Sequence, residues 1–128
     1  MQIGELAARC GCPVETIRYY EKVGLLPAPR RAENGYRQYG DNHRKWLQFT
    51  LRSRALGFTQ RQVKRLAAIA SQPQPPCEEI CELLADHVIE VRAKIRELEQ
   101  MERALLRLKA KCKDATFQEC PAVDELMT

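Results

Sequence analysis

Residues 77–111 contain neither proline nor glycine, and along them Leu84, Val88, Val91, Ile95, Leu98 and Leu105 recur at alternating steps of four and three, passing over Glu102. That heptad spacing keeps one apolar stripe in line along a helix. At a rise of about 1.5 Å per residue the run makes a helix about 50 Å long. A chain of 128 residues has nothing else large enough to cover such a stripe, and a stripe left wet is unfavourable. The stripe is therefore expected to pair with its own copy. These residues are the expected dimerisation surface of a homodimer.

Immediately before this run stands Gln72-Pro73-Gln74-Pro75-Pro76, a stiff boundary. The charge changes sign across it. Residues 1–70 hold 13 Lys and Arg against 5 Asp and Glu, whereas the remainder hold 8 against 12. A basic part joined to an acidic part is the expected signature of a nucleic-acid-binding domain fused to a module with another task. No apolar run approaches the roughly 20 residues needed to span a bilayer. The N-terminus also lacks the charged-then-apolar pattern of a secretory signal. The chain is expected in the cytoplasm, without a membrane partner and with its six cysteines reduced. Reduced cysteines serve as small buried apolar residues, as reactive thiols or as metal ligands.

Within residues 1–70, short helices separated by turns are expected. Gly11 closes one helical piece and Pro13 suits the first position of the next. Ala7, Gly11 and Ile17 have the spacing of a helix-turn-helix: a small residue where the helices approach, a glycine for the left-handed turn, and an apolar anchor. The second helix then carries Thr16, Arg18, Tyr19 and Tyr20, the donor-bearing side chains expected to face DNA phosphates and base edges. Asn34-Gly35 signals a small hairpin. Its Tyr36, Arg37 and Tyr39 form a basic and aromatic pattern suited to a wing straddling a phosphate backbone. Trp46, Phe49 and Leu51 are expected on one core helix, and Thr59 is expected to cap another that carries Val63, Leu66 and Ile69.

Here the residues resemble a known family. Ile3-Gly4-Glu5-Leu6-Ala7, Thr16-Ile17-Arg18-Tyr19-Tyr20-Glu21, Gly24-Leu25-Leu26-Pro27, Gly35-Tyr36-Arg37-Gln38-Tyr39 and Leu56-Gly57-Phe58-Thr59 closely resemble the N-terminal domain of MerR regulators, and the likeness continues through the long helix. The resemblance implies a mainly α chain with a winged helix-turn-helix DNA-binding domain, an antiparallel coiled-coil dimer and a C-terminal effector-binding part. It further implies that the effector leaves the protein on double-stranded promoter DNA. There it changes the distortion of an overlong spacer, so that RNA polymerase engages both promoter elements. The expected layout is a winged helix-turn-helix domain over residues 1–71, a Pro-rich hinge over 72–76, a dimerisation helix over 77–111, and a metal-binding loop with a short terminal helix over 112–128.

Cys77 begins the long helix and Cys112 follows its end, so one chain holds them about 50 Å apart. In an antiparallel dimer the start of one helix lies beside the end of the other. Cys77 of one subunit would then meet Cys112 and Cys120 of its partner, giving two equivalent sites. This arrangement resembles the family's sensors of soft divalent ions, mercury, lead, cadmium or zinc, and three thiolates suit such ions. Cys81, one turn beyond Cys77, is a candidate fourth ligand or a bystander. Cys10 and Cys12 flank the helix-turn-helix turn and are read as structural, with redox tuning of DNA binding as the sharper alternative. His87 is read as a polar residue near the seam.

Other functions fit less well. Two histidines, no Ser-His-acid arrangement and no phosphate loop argue against an enzyme. A drug sensor of the same family would carry a larger C-terminal domain than residues 112–128 provide. A Cu(I)-type monovalent sensor and a metal-free thiol-redox regulator use the same cysteines and stay open as alternatives. A purely architectural DNA-binding dimer would need neither Cys112 nor Cys120.

Overall fold

A computed structural model describes residues 1–112 and 120–128 of the chain. Residues 113–119, where the metal-binding loop is expected, lie outside the described residues. In order the elements are α1 (Ile3–Cys10), α2 (Val14–Lys22), β1 (Arg30–Arg31), β2 (Arg37–Gln38), α3 (Asp41–Ala55), α4 (Gln60–Ala70), α5 (Cys77–Lys111) and α6 (Pro121–Met127). They fall into two compact units, residues 1–81 and 82–128. No helix among the described residues is long and apolar enough to cross a membrane.

In the first unit the helix-turn-helix is made by one glycine. Gly11 takes φ 68°, a left-handed conformation that costs glycine little, and its N–H closes α1 on the Ala7 carbonyl. Pro13 then stands at the N-cap of α2, one residue earlier than its sequence reading, because the chain is still extended there. Leu6 on α1, Ile17 on α2, Leu47 on α3 and Val63 on α4 are fully buried together with Thr50. Each large apolar side chain removed from water in this way contributes about 1.5–3 kcal/mol. Thr59 accepts a hydrogen bond from the Gln62 N–H while Gln62 accepts one from the Thr59 N–H, the reciprocal cap expected at the start of α4. The core face of α4 is Val63, Leu66 and Ile69.

Trp46, Phe49 and Leu51 lie together on α3, as expected. Its buried positions are Leu47, Thr50 and Ser53, whereas Trp46 is only half-buried and rests edge-on against Phe49 with centroids 5.2 Å apart. Thr50 tolerates the core because its hydroxyl donates to the Leu25 carbonyl at 3.5 Å.

In the wing, β1 and β2 pair antiparallel, Arg30 opposite Gln38 and Arg31 opposite Arg37. Gly35 turns the chain at φ 84°, and the Asn34 side chain accepts the Tyr36 N–H at 3.1 Å. Met1 and Tyr39 exchange both backbone hydrogen bonds at 2.8 Å, which anchors the end of the hairpin to the entry of α1.

α5 runs for 35 residues. Along it Leu84, Val88, Val91, Ile95, Leu98 and Leu105 are all exposed in the single chain, by 37% to 64%. His87 is the buried residue of this helix, not a companion of the exposed seam. It lies 4 and 7 positions beyond the half-buried Leu83 and Ile80, and so on a second face. α6 starts with Pro121 in its first turn. Lys111 reaches Glu125 at 2.7 Å, but Val123, Leu126 and Met127 stay exposed.

Candidate nucleic-acid interface and thiol pairs

α2 presents two faces. Ile17 and Tyr20, three apart, turn into the core, while Arg18 and Tyr19 are exposed and Thr16 is half-buried. A cleft of about 590 Å³ opens between α2 and the wing, lined among others by Arg18, Lys22, Arg31, Arg37 and Glu21. Four cations against one carboxylate make it an anion-attracting groove. On the other side of α2, Gln60 donates to the Tyr19 hydroxyl at 2.7 Å, and Arg54 donates to the Phe58 carbonyl at 2.7 Å. Thr16, Tyr19, Arg54 and Gln60 share a smaller cleft of about 330 Å³.

Glu21, which the sequence reading passed over, joins the recognition helix to the wing. One carboxylate oxygen accepts from Arg37 at 3.1 Å and the other accepts the hydroxyl of Tyr39. The Glu21 side chain is only 11% exposed. Burial, followed by the hydrogen bond and charge of Glu21, pushes the Tyr39 phenol up to about 12.

This geometry revises two sequence expectations. Tyr39 is buried, with its ring edge-on to His43, and Tyr20 is buried beneath α2. Both are expected to face DNA; both are instead buried, and Tyr39 ties the wing to α2 through Glu21. Alternation along a short hairpin places Tyr36 and Tyr39 on different faces, and Tyr36 is 64% exposed. Arg30 and Arg31 were missed, although their place on the strand opposite Arg37 could have been read from the Asn-Gly turn.

All six cysteines are free thiols. Cys10 and Cys12 are half-buried beside the Gly11 turn, and burial pushes both thiols up. Cys77 and Cys81 are exposed on the first turns of α5, with their sulfurs 3.8 Å apart. The hydrogen bond and charge of Cys77 push the Cys81 thiol up. Cys112 is exposed, its sulfur 3.5 Å from the Leu108 carbonyl, and Cys120 is exposed at the N-cap of α6. Among the described residues of one chain, no three His, Cys, Asp or Glu side chains gather into a metal-holding group.

Helix-turn-helix, wing and basic cleft together define a winged helix-turn-helix DNA-binding protein. Comparison with known proteins agrees. The model of the MerR family regulatory protein matches residues 2–39, and that of the MerR DNA-binding region matches residues 44–108. The chain belongs to the MerR family of transcription regulators. It is 37% identical over 127 residues to the mercuric resistance operon regulatory protein of Bacillus cereus, covering 98% of this chain and 96% of that one. Among solved structures it is similar to the transcription regulator PbrR691 from Ralstonia metallidurans CH34 in complex with lead(II), with a TM-score of 0.82, 37% identity and 98% of each chain covered. It is also similar to HiNmlR, a MerR family regulator lacking the sensor domain, bound to promoter DNA, with a TM-score of 0.63, 28% identity and 88% of each chain covered.

Proposed function

We propose that the protein binds double-stranded promoter DNA as a homodimer and activates transcription when a soft divalent ion, Hg(II), Pb(II), Cd(II) or Zn(II), is held by its cysteines. Cys77 of one chain would supply one sulfur and Cys112 and Cys120 of the other chain the rest. The observation that carries this reading is the placement of exposed free thiols at both ends of a helix whose apolar seam is exposed in the single chain. A seam of this kind is covered by a partner. An antiparallel partner would bring the two ends together.

The donor set fits such an ion. Exposed thiols are accessible, and soft cations prefer thiolate to the carboxylates and amines that dominate the rest of the surface. When bound, the ion supplies a cross-link between the two chains. The residues of this chain do the remainder. Thr16, Arg18 and Tyr19 on α2 would meet one groove, and Tyr36 and Arg37 on the wing would meet the flanking phosphates. Glu21 holds helix and wing together, so the two would shift as one. Such a shift would distort the spacer and let RNA polymerase engage the promoter.

Titrating the reduced dimer with each ion in competition with a chelator, while measuring transcription from its promoter, tests the reading. Output should rise in step with tight binding of one or more divalent ions. Output that rises only with Cu(I) would select the monovalent sensor. Output that follows thiol oxidation without metal would select the redox regulator.

A further inference from the structure

The contact between Cys77 and Cys81 carries an inference about coordination. The two residues are one turn apart on the same face of α5, both are exposed, and their sulfurs are 3.8 Å apart. Two sulfurs bound at about 2.3 Å to one tetrahedral ion are separated by about 3.8 Å. Two sulfurs on opposite sides of a two-coordinate ion are separated by twice that bond, about 4.6 Å. The pair already has the first spacing and would have to open for the second. The helix backbone fixes the two Cα positions, and the rotamers that bring the sulfurs into contact at 3.8 Å place both within reach of one ion.

We propose that Cys81 is a metal ligand, and that Cys77 and Cys81 together form a two-sulfur chelate for a tetrahedral divalent ion, Zn(II) or Cd(II). Both sulfurs come from one rigid turn, so the half-site is assembled before the ion arrives and little side-chain ordering is needed to form it. The chelate leaves two positions of the tetrahedron open. Resting on the reading that Cys112 and Cys120 come from the second chain, these fill with two more sulfurs to make a four-sulfur site. The consequence is selectivity. A tetrahedral four-sulfur site favours Zn(II) and Cd(II), whereas an ion content with two opposed sulfurs gains nothing from Cys81.

The test uses the full-length reduced dimer without oxygen, titrated with Cd(II) alone. Ultraviolet sulfur-to-cadmium charge-transfer absorption counts the bound thiolates, and competition with a chelator gives the affinity. Cys81→Ser should lower the charge-transfer intensity per ion by about a quarter. It should also weaken Cd(II) binding by no less than the roughly ten- to hundredfold lost when only a supporting residue of a metal site is removed. Hg(II) affinity should change far less in the same variant. Unchanged absorption and Cd(II) affinity in Cys81→Ser, with losses in Cys77→Ser and Cys112→Ser/Cys120→Ser, would overturn the chelate and leave the three-sulfur site standing. Losses in Cys77→Ser and Cys81→Ser but none in the loop variant would uphold the chelate and remove the loop from the site. No loss in any variant would overturn both. Cys81→Ala serves as a second substitution at this exposed position, and circular dichroism of each variant confirms that α5 is intact.

Discussion

Glu21 and Arg37 form an ion pair of 3.1 Å between the recognition helix and the second strand of the wing. The same carboxylate accepts the hydroxyl of Tyr39, so the two parts that would touch DNA are joined at the cleft between them. Arg37 is thus a structural cation as well as a candidate DNA contact, which alters what its removal means.

Replacing Arg18 with Ala should weaken operator binding and reduce the slope of log affinity against log salt by about 1, the value for one lost phosphate contact. Arg37→Ala should weaken binding too, but it should also lower the melting temperature of the free protein, because Glu21 loses its cation. With Arg37 44% exposed, the pair contributes about 1 kcal/mol or less. Filter binding at several salt concentrations and a thermal melt separate the two effects. An Arg18→Ala variant with unchanged affinity at every salt concentration would remove Arg18 from the interface.

Tyr39 gives a pH signature. Its phenol is pushed up to about 12, first by burial and then by Glu21, so the folded state favours the protonated phenol more than the unfolded chain does. The stability from this preference is complete below the ordinary tyrosine value of about 10. It is lost as pH rises from there through about 12. Tyr39→Phe keeps the ring and removes the titrating group, and its stability should fall less over that interval. Denaturant midpoints measured across it check the difference; parallel curves for the two proteins would refute the assignment.

Leu98 is 62% exposed in the single chain and belongs to the proposed seam. Leu98→Asp would place an unpaired charge there and cost several kcal/mol of association. Sedimentation should show monomer at concentrations where the parent is dimeric. A variant that remains dimeric at nanomolar concentration would show that the seam lies elsewhere on α5.

The shared metal site makes a demand on heterodimers. One Cys77→Ser chain combined with one Cys112→Ser/Cys120→Ser chain should keep one three-sulfur site, formed by Cys77 of the second chain and the loop of the first. The other site loses all three of those ligands. A site built within one chain would be incomplete in both. Equilibrium dialysis should find one tight divalent ion per heterodimer, and finding none would exclude sharing between chains.

Much of this protein is legible in its sequence because local rules decide it. The heptad run and the absence of glycine and proline define α5, since a helix needs only its own backbone and an apolar stripe. The left-handed turn at Gly11, the reciprocal cap at Thr59 and the turn at Gly35 follow from preferences of single residues. Other features depend on which surfaces meet in three dimensions. Glu21 reaches residues 16 and 18 positions away, which no local pattern foretells. Tyr39 and Tyr20 read as ligand-facing by residue type, yet both are buried, Tyr39 with its ring edge-on to His43 of α3. Thr50 takes a core position on α3 where its hydroxyl donates to the carbonyl of Leu25, 25 positions back in the chain. For the thiols, sequence spacing put Cys77 and Cys81 on one face of a helix. Only the side-chain rotamers bring their sulfurs into contact at 3.8 Å, which spacing along the chain does not fix.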